Sequence, residues 1–257
     1  MDYETIIYEL SGHVATVTLN RPDKLNAFTQ RMCDEFEQLW NAVRLDDDVH
    51  VVVLQAEGDR AFCTGVDVRE GLGRPANVWN QRDPGVQLGP KHNKVWKPLV
   101  TALHGMVAGG ALYWVNESDI VICSDDATFF DPHVSYGMTA ALEPIGLLWR
   151  VPLGEVLRMT LLGLDERMSA ARAREIGLVS EVVTREALRP RAAEIAGLIA
   201  AKPATAVQGS VKAIWESLDM TRTGALQVGM SYTQIGNPIG MAEIDRDSFV
   251  RPTWQLR

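Results

Sequence analysis

Residues 128–138 read TFFDPHVSYGM and place a single imidazole, His133, between Asp131 and Ser135. An imidazole with an ordinary pKa of ~6.5 takes or gives a proton near neutrality. Asp131, His133 and Ser135 alternate, as an acid, base and nucleophile might. Alternation along an extended segment sends all three side chains to one side, however, with little room for an ordered proton relay. A local triad is therefore not expected. Two further stretches offer main-chain chemistry: GDRAFCTGVDVRE at 58–70, and LHGMVAGGALYWVNESDIVICSDDATFFDPHVSYG at 103–137. Each reads as a strand, a small-residue loop and a helix start. Such a turn leaves backbone N–H groups unpaired, and two of them facing one point would form an oxyanion hole. Two plain glycine turns would carry the same spacing.

These groups need a framework, and the chain is long enough for one. Its 257 residues are 46% hydrophobic, which allows one large α/β domain with a sizeable core. A net charge of −8 gives no footprint for nucleic acid or an anionic membrane. An anionic ligand must be met by local Lys, Arg or helix N-termini. The start, MDYETIIYEL, lacks a basic leader pattern, and no run approaches the ~20 apolar residues of a membrane span. Cys33, Cys63 and Cys123 are odd in number and far apart. They read as reduced thiols of a cytoplasmic protein, with no metal site. The phosphate-loop, zinc-protease, Cys-x-x-Cys and nucleophile-elbow motifs are all absent, and HGMVAGGA does not fit a dinucleotide fingerprint.

ETIIYELSGHVATVTLN predicts two strands around Ser11 and Gly12. Thr29 suits the N-cap of a helix to about Leu45, in which Met32, Phe36, Leu39, Trp40 and Val43 recur at helical spacing. HVVVLQA suits a strand covered on both faces. Residues 71–90, rich in Gly, Pro and Asn, read as a mobile surface segment. PLVTALHG, GGALYWVNES and DIVICS continue as strand, helix and strand, which argues for an α/β core. A helical region is expected beyond about residue 185, broken at Pro203, with a last helix over 220–234. Trp79, Trp96, Trp149 and Met138 read as core or pocket wall.

LNRPDKLNAFT, AFCTGVDVRE, HGMVAGGALYWVNESDIVICSDDATFFDP and LLGLDERMSAARAREIGLVSEVV together resemble the crotonase, or enoyl-CoA hydratase/isomerase, superfamily over nearly the whole chain. The resemblance implies an α/β fold, a spiral of ββα units over residues 1–184, with a helical oligomerisation region over 185–257. It implies an acyl-CoA thioester as ligand, homotrimers or dimers of trimers, and no cofactor beyond the coenzyme A of the substrate. By motif position the oxyanion hole would be the N–H groups of Val66 and Gly110. Lys24, Leu25, Asp67, Val68 and Arg69 would fall along the CoA, with Asp67 bracing its loop.

The chain departs from the family pattern where acid–base chemistry is expected. Hydratases use two glutamates across the double bond. Counting from the motifs, their positions are held here by Tyr113 and His133. Glu143 is the nearest new carboxylate; Pro144 after it favours an extended or turn conformation there. His133, Glu143 and Tyr113 are therefore the candidate catalytic side chains. Hydration and isomerisation are both open, as are hydrolysis or retro-Claisen cleavage of an acyl-CoA, and a non-catalytic CoA-binding role.

Overall fold

The computed structural model describes residues 3–72, 76–247, 250, 251, 253, 254 and 256, with the Val78 side chain left aside. The chain opens with β1 (Ile6–Ser11) and β2 (Val14–Leu19), an antiparallel hairpin whose turn has Gly12 at φ 57°. Helix α1 (Gln30–Leu45) follows, with the Thr29 hydroxyl accepting from Met32 N–H. Its apolar stripe, Met32, Phe36, Leu39, Trp40 and Val43, is buried as its spacing predicts.

Strand pairs then recur. They are β3 (Val51–Ala56) with β4 (Ala61–Cys63), β5 (Leu99–Leu103) with β6 (Met106–Ala108), and β7 (Ile120–Ser124) with β8 (Thr128–Phe130). The first strand of each pair joins one sheet and the second another. Two short helices fall between them, α2 (Gly85–Leu88) and α3 (Leu112–Glu117), the latter entered through a 3-10 turn at Gly109–Ala111. The chain continues through α4 (Leu142–Leu147), α5 (Leu153–Leu162), β9 (Met168–Ser169), α6 (Ala170–Glu175) and β10 (Glu181–Val183). The six-stranded sheet runs β1-β2-β3-β5-β7-β10, and the four-stranded sheet β4-β6-β8-β9. This is the spiral of ββα units that the resemblance implied. The switch between sheets is a tight one: Gly105, between β5 and β6, sits at φ 54°, and a Cβ there would overlap the Arg60 carbonyl.

Strand β3 shows why its sequence has no polar alternation. Val52 and Leu54 face the main core, while Val51 and Val53 face Leu188, Ala192 and Ala196 of α7 (Arg185–Ala200). Both faces are covered, so both must be apolar. The helical region therefore begins with a helix that closes the sheet. Beyond Pro203, α8 (Ala204–Glu216) and α9 (Arg222–Ala242) pack on each other and leave Ile214, Leu226, Met230 and Ile235 exposed.

Several expectations change. Gly73, Arg74 and Pro75 lie outside the described residues, but the far end of that stretch is held inside: Leu88 is fully buried, and its carbonyl accepts from the Trp40 indole at 2.8 Å. Trp79 and Trp149 are exposed at 89% and 63%, so neither is core. Trp96 is half-buried beneath the Lys212 ammonium, 5.7 Å from its ring centroid. Glu143 is helical, in the first turn of α4. The N–H groups of a first turn have no intrahelical acceptor, so the missing N–H of Pro144 removes nothing there.

The core is organised around Trp114 on α3. It is fully buried, with the rings of Phe36, Phe28 and Phe62 at 5.1, 5.9 and 6.1 Å. Its indole N–H is buried without a partner among the described residues. Trp114→Ala is expected to cost ~3–5 kcal/mol in urea unfolding. Trp114→Phe is expected to cost clearly less, because it also removes the unpaired donor.

Candidate functional site

A cleft of about 870 Å³ opens where the two sheets' turns meet. Val66, Asp67, Val68 and Arg69 line it from the loop after β4, Gly109 and Gly110 from the start of α3, and Lys24 and Leu25 from the loop after β2. His133 and Glu143 line it from the segments after β8. Nine of the ten candidate residues thus share one cavity, which spacing alone did not establish.

The main chain at the cleft is arranged by pairing and close contact. Phe28 N–H donates to the Gly65 carbonyl at 2.8 Å, and Asp67 N–H to the Phe28 carbonyl at 2.8 Å. In that parallel bridge the residue between, Val66, points its own N–H to the other side. Gly110 lies in the first turn of its helix, where an N–H has no intrahelical acceptor. The two turns touch: a Cβ on Gly65 would lie 3.1 Å from Gly110 N, and one on Gly110 would lie 2.5 Å from the Phe28 ring. Both positions are therefore restricted to glycine.

The wall carrying Lys24 and Leu25 is pinned from behind. Asn26 is fully buried at φ 53°; its side chain accepts from Arg21 N–H at 2.8 Å and donates to the Glu57 and Ala61 carbonyls at 2.8 and 3.0 Å. Arg21 donates to the Ala27 carbonyl and pairs with Asp67 at 3.1 Å, joining the two walls. Burial alone would raise the Asp67 pKa, but the N–H groups of Arg69 and Glu70 and the Arg21 guanidinium outweigh it and hold the carboxyl below its usual range. Asp67 is thus occupied by its own loop. Arg60 and Arg167 also line the cleft, Arg167 stacked 4.4 Å from the Phe130 ring centroid.

The histidine segment differs from the extended chain expected. Residues His133–Tyr136 form a 3-10 turn. Asp131, 1% exposed, accepts from His133 N–H at 3.0 Å and from its Nδ1 at 2.6 Å. Ser135 turns away, its Oγ accepting from Leu164 N–H at 2.9 Å. No triad forms, but an Asp–His pair does, with Nε2 left towards the cleft, 3.9 Å from Glu143 Oε1. The Asp131 hydrogen bond raises the His133 pKa; burial opposes this, and the Asp131 and Glu143 charges add to it. Burial raises the Glu143 carboxyl above its usual value. Tyr113 is buried behind Glu143 and does not line the cleft; burial, then the Glu143 and Asp83 carboxyls, push its phenol up strongly. It remains neutral, set between the Glu143 and Asp83 carboxyls.

The family profile described as Enoyl-CoA hydratase/isomerase matches residues 9–234. An (E)-benzylidenesuccinyl-CoA hydratase of Thauera aromatica is 34% identical over 234 residues, 90% of this chain and 88% of that protein. A (7aS)-7a-methyl-1,5-dioxo-2,3,5,6,7,7a-hexahydro-1H-indene-carboxyl-CoA hydrolase of Rhodococcus jostii is 32% identical, covering 92% and 90%. The crystal structure of an enoyl-CoA hydratase/isomerase from Mycobacterium paratuberculosis superposes with a TM-score of 0.89 at 37% identity over 100% of both chains.

Because the folded pKa of His133 is raised, its contribution to stability is fully present below the ordinary histidine value and fades as pH rises through the raised one. NMR titration of the ring is expected to give a midpoint above ~6.5. Asp131→Asn is expected to lower that midpoint and to remove this part of the pH dependence of unfolding.

Proposed function

The chain belongs to the enoyl-CoA hydratase/isomerase family, and we propose that within it this protein adds water across the double bond of an enoyl-CoA thioester. The observation that carries this reading is the pairing of two unlike acid–base groups at one cleft: His133 Nε2 and Glu143 Oε1 stand 3.9 Å apart beside Gly110. An isomerase needs a single proton shuttle. Two groups at that separation can hold one water between them, as hydration requires.

In the proposed reaction the thioester oxygen lies against the N–H groups of Val66 and Gly110. Glu143, as carboxylate, takes a proton from the water while its oxygen bonds to Cβ. The C=C electrons move to the thioester oxygen, and the two N–H groups stabilise the enolate; one such donor is typically worth ~2.7–4 kcal/mol of barrier. His133, as imidazolium backed by Asp131, returns a proton to Cα as the C=O reforms. Glu143 then passes its proton to His133 across the gap, which restores the starting state. Lys24 and Arg69, with Arg60 and Arg167, supply the local cations that an acidic protein needs to meet the CoA phosphates. No cofactor enters beyond the coenzyme A of the substrate.

Two apolar faces support an oligomer, a homotrimer or a dimer of trimers: Ile145, Trp149 and Leu153 on and after α4, and Leu226, Met230 and Ile235 on α9 are all exposed. Among the described residues no helix is long and apolar enough to cross a membrane. The three cysteines are free and buried, which fits the reducing cytoplasm.

A mass-spectrometric screen of acyl-CoA thioesters tests the reaction. Gain of one water by an enoyl-CoA with the thioester intact is expected. Gain of water by a ketoacyl-CoA with C–C cleavage, or loss of free CoA, would replace hydration by hydrolysis. Turnover of none across the panel would favour a binding role. On the enoyl-CoA turned over best, His133→Gln and Glu143→Gln are each expected to lower kcat by ~10²-fold or more. Lys24→Ala is expected to act chiefly on KM.

A further inference from the structure

We infer that Asn116, on the rear of α3, is a positioning residue that sets the Glu143 carboxylate against His133; the inference rests on the acid–base reading of that pair. Glu143 sits on α4, a helix of six residues, reached from His133 through residues 135–139, all exposed. Such a segment does not fix a carboxylate by itself. The fixed element nearby is α3, held in the core by Trp114 and entered through the 3-10 turn that carries Gly110. Tyr113 and Asn116, three residues apart, lie on one face of that helix, and both meet α4. The Asn116 Nδ2 donates to the Glu143 main-chain carbonyl at 2.9 Å. One turn further along α4, Gly146 packs on the same amide so tightly that a Cβ would overlap it. Just past α4, the Arg150 guanidinium donates to the Asn116 carbonyl at 3.1 and 3.2 Å and to the Ser118 carbonyl. Helix α4 is thus strapped to α3 at both ends, and the strap at the Glu143 end is one side-chain amide.

The amide's own oxygen sets a cost against the strap. Asn116 Oδ1 is buried without a partner among the described residues. An apolar side chain of similar volume would avoid that unmet acceptor and would give up the hydrogen bond to the Glu143 carbonyl. What only the amide supplies is the directed N–H to Glu143. Through it the distance from the oxyanion donor on Gly110 to the carboxylate is carried along one rigid helix.

The ring of His133 reports the position of Glu143 without any substrate, because the carboxylate is one of the two anionic groups facing it, Asp131 being the other. NMR titration of His133 in labelled holo-length protein, with the signal assigned through His133→Gln, reads it directly. Glu143→Gln is expected to lower the His133 midpoint. Asn116→Leu, which keeps volume and removes the donor, is expected to reproduce at least about half of that shift, with the fold retained. Asn116→Ala serves as a second variant for the same readout. A purely structural contact would change the melting temperature and leave the His133 midpoint in place, which would overturn the inference. If Glu143→Gln itself leaves the midpoint unmoved, the pairing of His133 with Glu143 fails, and the role of Asn116 fails with it. If Glu143→Gln moves it and neither Asn116 variant does, only the positioning role is lost.

Discussion

Everything at the cleft depends on two turns of backbone lying in contact. Gly65 and Gly110 approach so closely that a methyl group on the first would press on the amide nitrogen of the second, and a methyl on the second would enter the Phe28 ring. Phe28 in turn belongs to the ring cluster around Trp114. The approach is therefore fixed from both sides, by absent side chains in front and by a close-packed aromatic group behind. The sheets follow from the same requirement. Each strand pair splits between two sheets, so successive turns return to one region and bring the loops after β4, β6 and β8 together.

The long elements could be read from the sequence because their period repeats several times. Helix α1 shows its buried stripe over four turns, and β3 its double-sided burial over six residues. The four-stranded sheet could not be read in this way. Strands β4, β6 and β8 are three residues each and β9 is two, too short for alternation to register. Glu143 was expected to be extended because a residue before proline is biased away from helix, and the packing of α4 on α3 overrides that local bias. Trp149 was expected inside because it is large and apolar, while an exposed apolar face has the same composition as a core.

At the site, Val66, Gly110 and His133, which all line one cleft, were legible through the motifs that carry the resemblance. The Asp131–His133 pair was not, since the expected extended segment folds as a 3-10 turn and divides Asp131 and His133 from Ser135. Asn26, Arg60 and Arg167 were missed for a different reason. Their roles come from contacts across the chain, such as the amide of Asn26 reaching two carbonyls more than 30 residues on, and no local pattern signals that.

The division between main chain and side chain has an evolutionary consequence. The groups proposed to hold the thioester oxygen are peptide N–H donors, which no point substitution at Val66 other than proline removes. The proton-handling groups are ordinary side chains on the 3-10 turn after β8 and on a short strapped helix. On the proposed reading, the second set can therefore be exchanged without disturbing the first. New chemistry in this fold begins as a question of which side chain faces an oxyanion that is already accommodated.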